Sequence, residues 1–109
     1  MNLLRGEVWW VNLDPTEASE IRKTRPCLVL TSDVLNRLRA TVVVVPYSTA
    51  AGAHPPITVA VTCQAKPAVA VIDQVRAIAK HRLKERIEMA SPTDVSSVVA
   101  ALAKVLEIP

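Results

Sequence analysis

R-G-E-V-W-W-V-N-L-D-P-T, residues Arg5 to Thr16, decides how the rest of the chain is read. Gly6 to Asn12 sets Glu7, Trp9 and Val11 on one face and Val8 and Trp10 on the other, the period of two that predicts a first strand. Asp14-Pro15 then breaks it with a turn dipeptide. Leu13 to Thr24 also carries Thr16, Glu17, Ser19, Glu20, Arg22 and Lys23. It is too long and too polar for a tight hairpin, and a loop of that kind in a compact domain is commonly functional.

Working outward, Pro26 to Thr31 and Thr41 to Tyr47 are continuous apolar runs that predict strands buried on both faces. Between them Ser32 to Arg39 carries Val34, Leu35 and Leu38 behind the potential caps Ser32 and Asp33, enough for one or two helical turns. A second loop, Ser48 to Pro56, leads into alternating Ile57, Val59 and Val61, and Val69 to Ile78 follows as a further strand after the breaker Pro67. Ser91 reads as an N-cap with Pro92 at the favoured first helical position, and Val95, Val98, Val99, Leu102, Val105 and Leu106 recur at helical spacing. Five or six short strands closed by one helix predict a mainly β member of the α+β class, a small antiparallel barrel with a C-terminal helix, in a single domain spanning residues 1–109.

Composition sets the limits of this reading. Half of the 109 residues are apolar, yet there is no Phe and only Trp9, Trp10 and Tyr47 are aromatic, so Val, Leu, Ile and Ala must build the core. The net charge of +3, from 13 Lys and Arg against 10 Asp and Glu, steers a polyanion weakly, and any nucleic-acid site must come from local clustering. Cys27 and Cys63 sit apart in apolar runs without a C-x-x-C pair, which predicts two buried free thiols rather than a disulfide framework or zinc site. Met1 to Glu7 lacks the apolar stretch of a signal peptide, and no run reaches membrane-spanning length, which predicts a cytoplasmic protein with no membrane contact.

An ordered set of motifs adds to this. R-G-E-V-W-W-V-N-L-D-P-T is followed by S-E at Ser19 and Glu20, T-R-P-C-L-V-L at Thr24 to Leu30, Asn36-Arg37, V-V-V-V-P-Y-S at Val42 to Ser48, D-Q-V-R-A-I at Asp73 to Ile78, and Arg82-Leu83. Together they resemble the MazF/PemK toxins over nearly the whole chain. The resemblance implies an SH3-like barrel shared with CcdB-type toxins, a homodimer, sequence-selective cleavage of single-stranded RNA without a cofactor or metal, and neutralisation by a cognate antitoxin with an acidic disordered tail.

RNA carries its own nucleophile, the 2′-OH, so a cleaving enzyme needs in-line positioning, help with proton transfer, and cations or donors around phosphorus. In the family pattern the arginine matching Arg25 is catalytic, and a guanidinium offers a bidentate fork to phosphate oxygens. Ser48 matches the hydroxyl position after V-P-Y, with Thr49 beside it as the alternative. Asp73 matches a carboxylate assigned as general base in PemK-like members, although the arginine two positions earlier in those members is Val71 here; structural pairing of Asp73 with an arginine is the other reading. Ser19, Glu20, Arg22 and Lys23 belong to the loop expected to line the RNA groove, where Ala18 replaces a common glycine.

The run Arg76, Lys80, Arg82, Lys84 and Arg86 is either a solvated face or a phosphate track, with Arg76 and Arg82 as the expected RNA contacts. Trp9 and Trp10 are candidates for base stacking, with at least one expected in the core or at a dimer interface. Two other functions remain open at this level: a toxin that binds DNA gyrase as CcdB does, and a degenerate homologue that binds antitoxin without cutting RNA.

Overall fold

The structure, a computed structural model, describes residues 2–14, 23–50 and 52–109. Seven strands lie among them: β1 (Glu7–Asn12), β2 (Thr24–Val29), β3 (Thr41–Ser48), β4 (Thr58–Cys63), β5 (Lys66–Val71), β6 (Arg76–Ala79) and β7 (Leu83–Met89), with helices α1 (Asp33–Leu38) and α2 (Pro92–Val105). All pairings are antiparallel, in the order β4-β5-β3-β2-β1-β7, with β6 joining the same side of β3 as β5. The sheet curls into a half-barrel with the helix against it, the mainly β architecture read from the sequence.

Both faces of the central strands are buried, which explains their near-continuous apolar runs. On one face Val8, Leu28, Val45, Tyr47, Ala70 and Ile72 pack with Val98 and Ala101 of α2. On the other Trp9, Val11, Cys27, Val29, Val42, Val44 and Ile78 close over one another with Leu3, Leu13 and Leu83. Both helices start where their caps predict. The Ser32 hydroxyl accepts from the Leu35 N–H at 3.3 Å, and that of Ser91 from the Asp94 N–H at 3.1 Å, with Pro92 opening the helix.

Three boundaries differ from the sequence reading. The run Val69 to Ile78 is two strands, because a 3-10 turn at Ile72–Gln74, closed by the Val75 N–H on the Ile72 carbonyl, shifts the chain between its pairings with the two ends of β3. Pro67 lies inside β5, opposite Thr62 near the hairpin end, rather than before a strand. The basic run through Arg86 contains a whole strand, β7, whose charged residues hide the alternation. The β4-β5 connection is a two-residue turn in which Gln64 and Ala65 both take positive φ (53° and 61°). That geometry normally advertises itself through Asn-Gly, and here it does not.

Candidate active site

Arg25 and Ser48 are brought together by strand register. β2 and β3 pair as Val29 with Val44, Leu28 with Val45 and Cys27 with Pro46; continued by two residues, the same register sets Arg25 opposite Ser48. The ladder itself stops short of them. Pro26 has no N–H to donate, and Pro46 has none either, so the two strand ends part where Arg25 and Ser48 sit. The R-P and P-Y-S pieces of sequence thus place a proline next to Arg25 and another two residues before Ser48, and end the pairing there.

The parted ends open a cleft of about 230 Å³, whose lining includes Arg25 and Pro26 from β2, Tyr47, Ser48 and Thr49 from β3, and Trp10 from β1. Cys63, Gln64 and Lys66 close it from the β4-β5 turn. Arg25 is exposed, and its guanidinium has no partner among the described residues. Ser48 caps the turn after β3 by accepting from the Ala50 N–H at 3.1 Å; its own hydroxyl proton is left to donate. Thr49 is exposed on the same rim, so the neighbouring hydroxyl remains part of the site.

The other candidates are not gathered there. Asp73 is exposed in the 3-10 turn between β5 and β6, away from the cleft lining, and pairs with no arginine among the described residues. Ser19, Glu20 and Arg22, with Ala18, lie outside the described residues. Lys23 sits at the start of β2 with positive φ (67°), its N–H bonded to the Asp14 carboxylate at 3.0 Å and its side chain exposed. Among the described residues no three His, Cys, Asp or Glu side chains group as a metal site would require.

Every member of the basic run bonds to its own chain. Arg76 reaches the Gln74 side chain at 3.5 Å, the Lys80 ammonium donates to the Asn36 carbonyl, and Lys84 lies 3.5 Å from the His81 carbonyl. Arg82 donates to the Asn12 carbonyl at 3.2 Å and to that of Asp14, holding the chain as it leaves β1. Arg86 pairs with Glu7, which also accepts from the Leu4 N–H at 2.7 Å and the Trp9 indole at 3.2 Å. Burial alone would raise the Glu7 pKa, but these donors and the Arg86 charge together bring it below the usual value of 4.5.

The two tryptophans divide as their faces dictate: Trp9 is core, bonded to Glu7, while Trp10 is half-buried on the cleft. Cys27 and Cys63 are buried free thiols. Desolvation pushes Cys27 up to about 12 despite the opposing charge of Arg76, and burial likewise raises Cys63, so neither is a ready nucleophile. One cleft residue escaped the sequence reading. Tyr47 is 1% exposed and its hydroxyl has no partner among the described residues. Burial, with Asp94, Cys63, Glu88 and Cys27 around it, raises its pKa and keeps it protonated.

The sequence and the fold recur in known proteins. The sequence profile of the PemK-like, MazF-like toxins of type II toxin-antitoxin systems matches residues 4–106. The chain is 34% identical to the endoribonuclease PemK of Escherichia coli over 107 residues, 94% of this chain and 80% of that protein. In fold it is similar to a crystal structure of MazF from Deinococcus radiodurans, with a TM-score of 0.88 at 22% identity over 99% of each chain. It is also similar to a mycobacterial endoribonuclease solved with its cognate antitoxin, with a TM-score of 0.81 at 24% identity over 98% of this chain and 97% of that one.

Proposed function

The chain belongs to the PemK-like, MazF-like toxins of type II toxin-antitoxin systems, and from that premise we propose that it is a sequence-selective endoribonuclease cutting single-stranded RNA at the Arg25–Ser48 cleft. The observation that carries this reading is the exposed guanidinium of Arg25, without a partner among the described residues and set by register against Ser48 where the β2-β3 ladder ends.

In this mechanism the 2′-OH oxygen attacks the adjacent phosphorus, the bond from phosphorus to the 5′ oxygen breaks, and the products are a 2′,3′-cyclic phosphate and a 5′-OH. The 2′-OH proton leaves to solvent, and the departing oxygen takes one from solvent. Arg25 is permanently charged, so it serves the negative charge that grows on the phosphoryl oxygens rather than either proton transfer. Ser48 donates its hydroxyl proton to a phosphoryl oxygen, held in place by the Ala50 N–H. A fixed cation and an internal nucleophile supply what a metal would otherwise provide, and the reaction is therefore proposed as metal-independent. Asp73, exposed outside the cleft lining, is given no proton step.

The neighbouring partners are argued on the same basis. An acidic, extended antitoxin segment suits a rim that exposes Arg25 and Lys66 and would compete with RNA for it; the mycobacterial relative is solved with its antitoxin. Val34, Leu35 and Leu38 of α1 are 53%, 45% and 75% exposed, an apolar cluster that a second copy of the chain would cover.

The test is incubation of the purified protein with a long single-stranded RNA in EDTA beside an Arg25→Ala control, with end mapping. Cuts bearing cyclic phosphate ends, absent from the control, are expected. Products with a 3′-OH, or an absolute need for Mg²⁺, would overturn the chemistry, and silence on every RNA tried would return the gyrase-binding and degenerate readings.

A further inference from the structure

We propose that Glu88 is a positioning residue for the reaction: it holds the β4-β5 turn from the opposite margin of the sheet and so sets where one wall of the cleft stands. The inference rests on the ribonuclease reading above and adds to it a residue outside the cleft lining.

The turn overhangs the sheet. β5 joins β3 through Ala70 with Tyr47 and Val69 with Ser48. Past Ser48 the hairpin continues for three more pairs, Val61 with Ala68, Thr62 with Pro67 and Cys63 with Lys66, and no third strand pairs with them among the described residues. β4 is one margin of the sheet and β7 the other, with no ladder between them among the described residues. Val61, Cys63 and Ala68 pack into the core beneath the overhang, but apolar burial is non-directional and does not by itself fix where a turn stands.

Two carboxylates fix it across that seam. The Asp94 carboxylate accepts from the Thr62 N–H at 2.9 Å, and that of Glu88 from the Gln64 N–H at 3.0 Å. Such charge-assisted bonds are roughly twice as strong as neutral ones. Asp94 is itself held at the start of α2, its N–H bonded to the Ser91 hydroxyl at 3.1 Å, and Glu88 comes from β7, paired there with Val8. Of the two, Glu88 grips the turn proper. Gln64 and Ala65 both take positive φ (53° and 61°), a conformation that non-glycine residues keep only where the surroundings impose it. Without Glu88 the turn is free to relax.

The turn carries the wall. Cys63, Gln64 and Lys66 line the cleft together with Arg25 and Ser48, and exposed Lys66 offers a cation to the RNA backbone. Arg25 and Ser48 stand on β2 and β3, whose register does not involve Glu88. Displacing the turn therefore loosens the hold on RNA and leaves the reacting groups in place. The sign of the effect is diagnostic. Deleting a negative charge near a polyanion site would by itself tighten binding, so weaker binding without Glu88 reports the lost bond.

The experiment measures steady-state cleavage of a single-stranded RNA by the wild type, Glu88→Ala, Glu88→Asp and Glu88→Gln, with amide hydrogen exchange and thermal melts alongside. Glu88→Gln loses the charge but keeps an oxygen that can accept from Gln64; Glu88→Asp keeps the charge on a side chain one methylene shorter. Glu88→Ala is expected to raise KM about tenfold or more with kcat within about threefold, the mark of lost binding rather than lost chemistry. Glu88→Asp should share the rise in KM, and Glu88→Gln should stay within about threefold of the wild type in both constants. Exchange at the Gln64 amide is expected to quicken about tenfold or more in Glu88→Ala and Glu88→Asp, while the amides of the β2-β3 ladder keep their protection.

A KM unchanged or lowered in Glu88→Ala and Glu88→Asp, a fall in kcat alone, a defect in Glu88→Gln equal to that of Glu88→Ala, or unchanged exchange at Gln64 would overturn the inference and leave the ribonuclease reading standing. A wild-type protein that cuts no RNA would overturn both.

Discussion

Two groups of cations differ less in charge than in what they already hold. Arg76, Lys80, Arg82, Lys84 and Arg86 form the denser cluster in sequence, yet each bonds to its own chain: a side-chain amide, three sets of backbone carbonyls and the Glu7 carboxylate. Arg25 belongs to the shorter run Arg22, Lys23 and Arg25, and is exposed and without a partner among the described residues at the end of a broken ladder. A guanidinium whose donors are spent on the fold gains little from a phosphate, whereas one with its donors unspent can offer all of them to it. Charge density along the chain is therefore a poor guide to which cations are free to take a phosphate, and hydrogen-bond accounting is a better one.

The comparison breaks most visibly at Arg25. Arg25→Ala is expected to lower RNA cleavage by about 10²–10³, the usual cost of removing one donor to a developing oxyanion, with stability within about 0.5 kcal/mol because the residue is exposed. Steady-state cleavage beside a thermal melt reads both, and a large loss of stability would move Arg25 into the structural group.

Arg86→Ala should do the reverse. It strands a carboxylate whose side chain is 4% exposed; Arg86 itself is 47% exposed, and that solvent screening trims the usual penalty for halving a buried pair to roughly 2 kcal/mol. Cleavage per folded molecule should change little. Glu7 also imposes a pH dependence with a definite sign. Its folded pKa lies below 4.5, so the stabilisation is complete above that value and is lost as pH falls through the depressed one. Denaturant melts from pH 6 downward should show the decline in the wild type and a flatter one in Glu7→Gln.

Arg82→Ala sharpens the division at the smallest scale. Losing the bonds to Asn12 and Asp14 is expected to cost about 1 kcal/mol, and cleavage should fall far less than in Arg25→Ala. An equal fall in cleavage with unchanged stability would give Arg82 back to the RNA.

The first strand, the caps and the closing helix were legible because each rests on a local signal: alternation at Glu7 to Val11, Ser32 and Ser91 at helix starts, and apolar residues at helical spacing from Val95 to Leu106. What escaped needed three dimensions. Gln64 and Ala65 adopt a turn that their side chains do not announce, and β7 alternates beneath charges that read as a solvated run. Arg25 and Ser48 could be named from motif order, but their opposition follows from a register no single stretch encodes. Tyr47 looked like one more apolar strand residue, because nothing in V-P-Y-S says that its hydroxyl is left without a partner among the described residues. Asp73 shows the converse, a motif match that folding carries away from the cleft.

β7 has a further consequence, for the behaviour of many copies together. It forms one margin of the sheet, and an unpaired margin is a template on which another molecule can add a strand and begin to aggregate. Lys84, Glu85, Arg86 and Glu88 set charges of both signs along that margin. A second strand laid beside it would have to bury them. Lys84 and Arg86, two of the run that looked made to attract a polyanion, thus stand guard with Glu85 and Glu88 over a chain that is half apolar, against its growing into fibres edge by edge.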